Sequence, residues 1–275
     1  MALAPDGGLH SLDRAGRQWR ERDADTALAA DVIRRWHARG HEIAAYGAGL
    51  FVMPHGLTID SMGHFWVTDV GLHQVFKLDA SGTVHLAVGT PRKMGKSGAA
   101  FALPTAVAIA ADGSFFVADG YGNARVARFS ATGEFELEWG GHGDADGQFR
   151  LPHAIDLDED GQVYVADREN KRLQIFEPDG THVQTISHPG IGKPFGLCVT
   201  PEAIYVADCG FPEDQRAGIA IVDRRTQAVR RVASYGAGDG QLLAPHDLVV
   251  GAGGDIFVAD AVLGLRRFDA PSGVL

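Results

Sequence analysis

The chain has 275 residues, of which 45% are hydrophobic, 36 are Gly and 12 are Pro, and its formal charge is −10. That is ample apolar material for a large core in a turn-rich sequence, and the acidic balance repels phosphate backbones, which argues against nucleic acid as a partner. Cys198 and Cys209 make neither a disulfide framework nor a CxxC metal site, although one bridge across a hairpin is conceivable; no stretch reaches the ~18 apolar residues of a membrane span, and "MALAPDGGLH" lacks the regions of a signal peptide, so a cytoplasmic protein is expected.

From the start, "MALAPDGGLHSLD" reads as strand, turn, strand, closing at Asp13. Residues 23–39 could be drawn as a short amphipathic helix. Their place in the repeat described next predicts instead the third strand of a first blade, with an insertion before it.

From residue 50 the pattern becomes regular. "PHGL" begins at Pro54, "PTAV" at Pro104, "PHAI" at Pro152, "PFGL" at Pro194 and "PHDL" at Pro245. Each is followed by a turn, by a V-x-D run closing at Asp69, Asp119, Asp167, Asp208 or Asp260, and by a further apolar run such as "QVFKLD" or "RLQIFE". The closing aspartates are 50, 48, 41 and 52 residues apart, and the residue after each Pro precedes its Asp by 14, 14, 14, 13 and 14 positions. Short antiparallel strands recurring at this period predict an all-β, six-bladed β-propeller, a single domain with blades at about 1–48, 49–98, 99–146, 147–190, 191–239 and 240–275. The aspartates occur in every unit and are read as structural, capping turns and holding the loop between strands two and three.

The slot after each Pro stands at the mouth of an innermost strand. It holds His55, Thr105, His153, Phe195 and His246 in blades 2 to 6. Three imidazoles at one register in every second blade suit a metal with three protein ligands and an open position, the arrangement of catalytic zinc; imidazole also serves iron, cobalt and manganese. The other nine histidines share no register and are read as surface or loop residues. The end of strand two lies on the same rim, so residues after the V-x-D aspartate overlook this site: Arg14, Arg168, Cys209 and, one step on, Tyr121. Two Arg suit an anionic substrate, and a Tyr near a cation suits a general base.

These runs resemble NHL repeats. More narrowly, "MALAPDGGLHSLDRAGRQW" (1–19), "LFVMPHGLTIDSMGHFWVTDVGLHQVFKLD" (50–79), "PTAVAIAADGSFFVADGYGNARVARFSATGEFELEWG" (104–140), "GQFRLPHAI" (147–155), "VADREN" (165–170) and "PHDLVV" (245–250) resemble the peptidyl-α-hydroxyglycine α-amidating lyases. The resemblance is weakest over 20–48 and 182–240. It implies a propeller lyase that cleaves an α-hydroxyglycine carbinolamide to an amide and glyoxylate. By motif match, His55, His153 and His246 would hold zinc, Tyr121 would be the base, and Arg14 and Arg168 would hold the substrate carboxylate. A structural calcium would be bound by the carbonyls of Met1 and Leu57 and by the Asp247 carboxylate. A separate hydroxylating monooxygenase would supply the substrate, since that partner domain has no counterpart in these residues. Two disulfides of the animal enzymes have no counterpart either: their positions hold Ala102, Gly122, Tyr164 and Ile175, which fits a reducing compartment. Two rival functions are a non-catalytic NHL propeller that binds a protein or peptide, and a lactonase-like propeller hydrolase, whose calcium ligands are Glu, Asn and Asp rather than His.

Overall fold

A computed structural model describes residues 1–37, 39–209 and 215–271. The described residues form antiparallel sheets of the kind the repeats predict, and the fold class is an all-β, six-bladed β-propeller. The chain divides into two compact units, Met1–His142 and Gly143–Leu275.

In the first unit, blade 1 is Ala2–Leu3, Leu9–Leu12, Ile33–Trp36 and Glu42–Tyr46; blade 2 is Pro54–Ile59, Phe65–Asp69, Gln74–Leu78 and Val84–Val88; blade 3 is Ala106–Ile109, Phe115–Asp119, Arg125–Phe129 and Phe135–Gly140. The strand expected within 23–39 is therefore present, and the insertion before it carries a 3₁₀ turn at Trp19–Glu21. In the second unit, blade 4 is Pro152–Leu157, Val163–Asp167, Arg172–Phe176 and His182–Ile186, and blade 5 is Pro194–Val199, Ala203–Asp208, Gly218–Asp223 and Val229–Val232. Blade 6 shows three strands among the described residues, Pro245–Val250, Ile256–Asp260 and Gly264–Phe268, preceded by a short parallel pair, Ser234–Tyr235 with Gln241–Leu242.

Strand two of blades 2 to 5 is buried along its whole length, and in blades 2 and 5 each of its two faces meets a neighbouring blade. The two-residue strand period sorts the side chains between those faces. In blade 2, Phe65 and Val67 pack with Ala2 and Ile33 of blade 1, whereas Trp66 packs with Phe115 and Val117 of blade 3. In blade 5, Ile204 and Val206 pack with Tyr164 and Ala166 of blade 4, whereas Tyr205 and Ala207 pack with Leu248 and Val258 of blade 6. The outermost strands read as half-exposed alternations, such as Val84–Val88 and Phe135–Gly140.

The closing aspartates do more than cap the loop after strand two. Asp69 accepts backbone N–H groups from Gly71 and Leu72, as expected, but also from Val52 (2.7 Å) and Met53 (3.0 Å), 17 and 16 residues upstream. Asp119 accepts from Ala102, Asp167 from Arg150, Asp208 from Gly192 and Asp260 from Leu243, each 16 or 17 residues upstream. Each carboxylate thus pins the chain just ahead of the Pro that opens its blade. The histidine reading needs one correction. His10 lies on a strand and is buried against Tyr46 and Phe65, and the loop residue His73 is buried as well; burial holds both imidazoles below their ordinary pKa. Cys198 is half-buried and Cys209 buried, and no disulfide joins the two.

Candidate functional site

In blades 2, 4, 5 and 6 the slot after the Pro is a break in the strand register. Pro54 pairs with Asp69 and Gly56 with Thr68, which leaves His55 as the extra residue of a bulge. His153, Phe195 and His246 are bulged in the same way. A bulge re-aims one side chain without ending the strand, so the slot residue leaves the alternation of its neighbours. In blade 3 pairing starts only at Ala106, and Thr105 turns its hydroxyl to the Ala118 carbonyl.

The bulges fix how the imidazoles bind hydrogen. His55 Nδ1 lies 2.7 Å from the backbone carbonyl of Thr105, and His153 Nδ1 lies 2.7 Å from that of Phe195. In both, the partner is the slot residue of the next blade. A carbonyl can only accept, so Nδ1 carries the proton and Nε2 keeps its lone pair, the orientation usual for histidine metal ligands. His153 is buried, its ring 4.9 Å from that of His246, with Phe195 beside both. One ring nitrogen from each of His55, His153 and His246 lies within 4.8 Å of the other two. This donor set fits a divalent ion of the zinc class: three neutral nitrogen ligands, two of them held by second hydrogen bonds.

The expected base and one expected arginine stand beside His55. The Tyr121 hydroxyl is 3.0 Å from His55 Nε2, and the two rings meet edge-on at 5.1 Å. The phenol ring is seated on Met53, Val70 and Leu103. Leu103 holds a positive φ of 62°, and its N–H donates to His73 Nδ1 at 3.2 Å, so that buried histidine has a bond to lose on protonation. Arg14 Nε donates to the Pro54 carbonyl at 3.2 Å; burial lowers the guanidinium pKa, against which Tyr121 and Asp69 pull it back up. Arg14 pairs with no carboxylate among the described residues.

Arg168 stands differently. Its Nε donates to Glu169 at 2.9 Å, its guanidinium lies 4.5 Å over the Phe195 ring, and Glu169 also receives Lys193 at 2.7 Å. Burial raises the Glu169 carboxyl, but Lys193 and Arg168 outweigh it and leave the group below its ordinary value. Of the residues expected to hold calcium, Met1 is buried just ahead of the first strand of blade 1 and Leu57 on the first strand of blade 2, and those two strands are in contact. Asp247 is half-buried on blade 6 and accepts the Leu248 N–H. The sequence reading missed Asp156, a carboxyl that burial pushes up to about 6 with Asp247 adding to the shift. It also missed Trp19, whose ring centre is 4.8 Å from that of Tyr121. Asp156 carried a signal, being a carboxylate on an inner strand; Trp19 carried no periodic signal, because its segment repeats nowhere.

Comparison with known proteins places the chain. The NHL repeat family matches residues 51–78 and 149–176. A probable peptidyl-α-hydroxyglycine α-amidating lyase of Caenorhabditis elegans is 34% identical over 94% of this chain and 78% of its own length. The chain belongs to the peptidyl-α-hydroxyglycine α-amidating lyase family. Peptidyl-glycine α-amidating monooxygenase A of Xenopus laevis is 44% identical to this family member over 77% of the chain, and the match spans 25% of that longer protein. Among solved structures, a virginiamycin B lyase from Staphylococcus aureus shares the fold at 14% identity, with a TM-score of 0.60 over 87% of this chain and 73% of that one. Gly122 donates its N–H to the Ala102 carbonyl, and Tyr164 stands opposite Ile175 on paired strands.

Proposed function

We propose that this chain is a metal-dependent carbon–nitrogen lyase that cleaves a peptidyl- or N-acyl-α-hydroxyglycine to the amide and glyoxylate. The observation that carries the reading is the three-histidine group, two of its Nδ1 atoms tied to carbonyls, in a chain of this family. His55, His153 and His246 hold the ion, and zinc is the metal their nitrogens suit. Zinc, when bound, supplies Lewis acidity toward a substrate oxygen.

The protein groups do the rest. Tyr121 takes the proton of the carbinol hydroxyl at its phenol oxygen, and the nearby charge of Arg14 favours the phenolate that must do so. Arg14 offers its remaining N–H groups to the substrate carboxylate, and Arg168, already oriented by Glu169 and Phe195, completes that grip. The oxygen's electron pair forms the glyoxylate carbonyl, the C–N bond breaks, and the departing nitrogen, which keeps its own hydrogen, takes back the proton held on Tyr121 to leave as the neutral amide. Met1, Leu57 and Asp247 are proposed to bind a structural calcium through two carbonyls and a carboxylate, oxygen donors of the kind calcium takes. A separate hydroxylating monooxygenase is the proposed source of the substrate, in keeping with the names of the longer relatives. The test is glyoxylate release from α-hydroxyhippurate by the zinc-loaded protein, with and without chelator. Chelator-sensitive release is expected; no release from the loaded protein would refute the reading.

A further inference from the structure

Trp19 is 37% exposed. The other exposed large hydrophobic residues among those described lie on outer strands or in turns, including Ile43, Val84, Phe135 and Val183 on fourth strands. Trp19 instead touches the proposed catalytic residues. Its ring centre is 4.8 Å from that of Tyr121 and 6.5 Å from that of His55, and the guanidinium carbons of Arg14 and Arg22 each lie 5.6 Å from it. The indole N–H has no protein acceptor among the described residues. An indole placed only for packing would be covered; this one stays 37% exposed while its ring packs against the phenol that would take the proton.

The segment that carries Trp19 is tied down without any ligand. Arg17 donates to the carbonyls of Thr26 and Val52, both at 2.8 Å, and Arg92 donates to those of Ala24 and Asp25, both at 2.8 Å. The Gln18 N–H is held by Glu21, and the Leu28 N–H by the Phe51 carbonyl at 2.7 Å. The Arg22 carbonyl comes so close to Gly71 that a β-carbon there would meet it at 2.4 Å, so only glycine fits beneath the turn. A ring fixed in advance binds without the cost of being ordered on contact.

We infer that Trp19 is a specificity-determining residue: its open face receives the acyl residue next to the scissile nitrogen, and it selects substrates in which that residue is aromatic or bulky and apolar. This rests on the lyase reading. In an N-acyl-α-hydroxyglycine the hydroxyl and the carboxylate are small and polar, and they are answered by Tyr121 and the arginines. The acyl residue is the one part of variable, apolar chemistry, and the indole is an exposed apolar surface that borders the site, whereas the Phe195 ring is buried.

The experiment compares N-benzoyl- and N-acetyl-α-hydroxyglycine as substrates of wild type, Trp19→Ala and Trp19→Phe. The ratio of kcat/KM for benzoyl over acetyl falls about tenfold in Trp19→Ala, chiefly through KM, and Trp19→Phe restores most of it. A ratio unchanged in Trp19→Ala, with both substrates slowed equally, overturns the inference, because the indole would then act only by propping Tyr121. Glyoxylate from neither substrate with wild type removes the lyase reading and this inference with it.

Discussion

Asp69→Ala should damage the fold and the site together. The Asp69 carboxylate is fully buried and accepts four backbone N–H groups: Val52 and Met53 ahead of the blade, Gly71 and Leu72 after strand two. Truncation leaves four donors facing an apolar wall that includes Met53 and Val70. Each buried donor left unpaired costs ~1–3 kcal/mol, so even the low end gives a loss of about 4 kcal/mol, a large part of the ~5–15 kcal/mol that holds a typical domain together. Because Met53 directly precedes Pro54 and His55, the loosened backbone is the one that aims the first imidazole. Urea unfolding of wild type and Asp69→Ala at pH 7, with zinc affinity measured on the same samples, checks both effects. A stability loss under about 1 kcal/mol, or a large loss with unchanged zinc affinity, would refute the reasoning that each closing carboxylate anchors the mouth of its blade.

Two further outcomes follow from single side chains. Burial works to raise the Asp60 carboxyl, but Trp66 Nε1, the His64 N–H and Lys77 hold it down at about 2. A depressed carboxyl contributes stability that is whole above its unfolded value near 4 and is lost as the pH falls toward 2, so Asp60→Asn should cost about 2 kcal/mol at pH 7 and measurably less at pH 3; an equal cost in urea melts at both pH values would show that the ionised form is not what is favoured. Tyr121→Phe removes the hydroxyl 3.0 Å from His55 while keeping the ring seated on Met53, Val70 and Leu103. Glyoxylate formation should fall by about 10²–10³ with zinc content intact, and a full rate would take the phenol out of the chemistry.

The blades were legible because their signal is periodic. The Pro slot and the closing Asp keep their distance in every unit, and the hidden third strand of blade 1 could be placed from its neighbours although residues 20–48 hardly resemble the rest. Blade 5, one residue shorter between slot and aspartate, is explained by its turn: Val199 pairs with Ile204, whereas Ile59 of blade 2 pairs with Phe65, so a four-residue turn replaces one of five. What periodicity cannot carry was missed. The bulge at each slot is a matter of backbone pairing, and nothing in "PHGL" announces that His55 steps out of register. The sequence does not reveal that His10 lies on a buried strand or that the loop residue His73 is buried, because a lone buried imidazole leaves no pattern. Trp19 sits in an insertion with no counterpart in the other blades, and its contact with Tyr121 joins residues about 100 positions apart. The position after Asp167 singles out Arg168, but its partner Glu169 and the Lys193 that steadies it could not be found that way, since ion pairs on a rim follow no spacing rule.

The account rests on three imidazoles sharing one ion, and X-ray absorption at the zinc edge of the loaded protein tests that most directly. It should show three histidine nitrogens at about 2.0–2.1 Å and a lighter fourth donor, with one imidazole lost in each of His55→Ala, His153→Ala and His246→Ala. A zinc shell of carboxylate or thiolate donors, or one that none of the three substitutions alters, would contradict it.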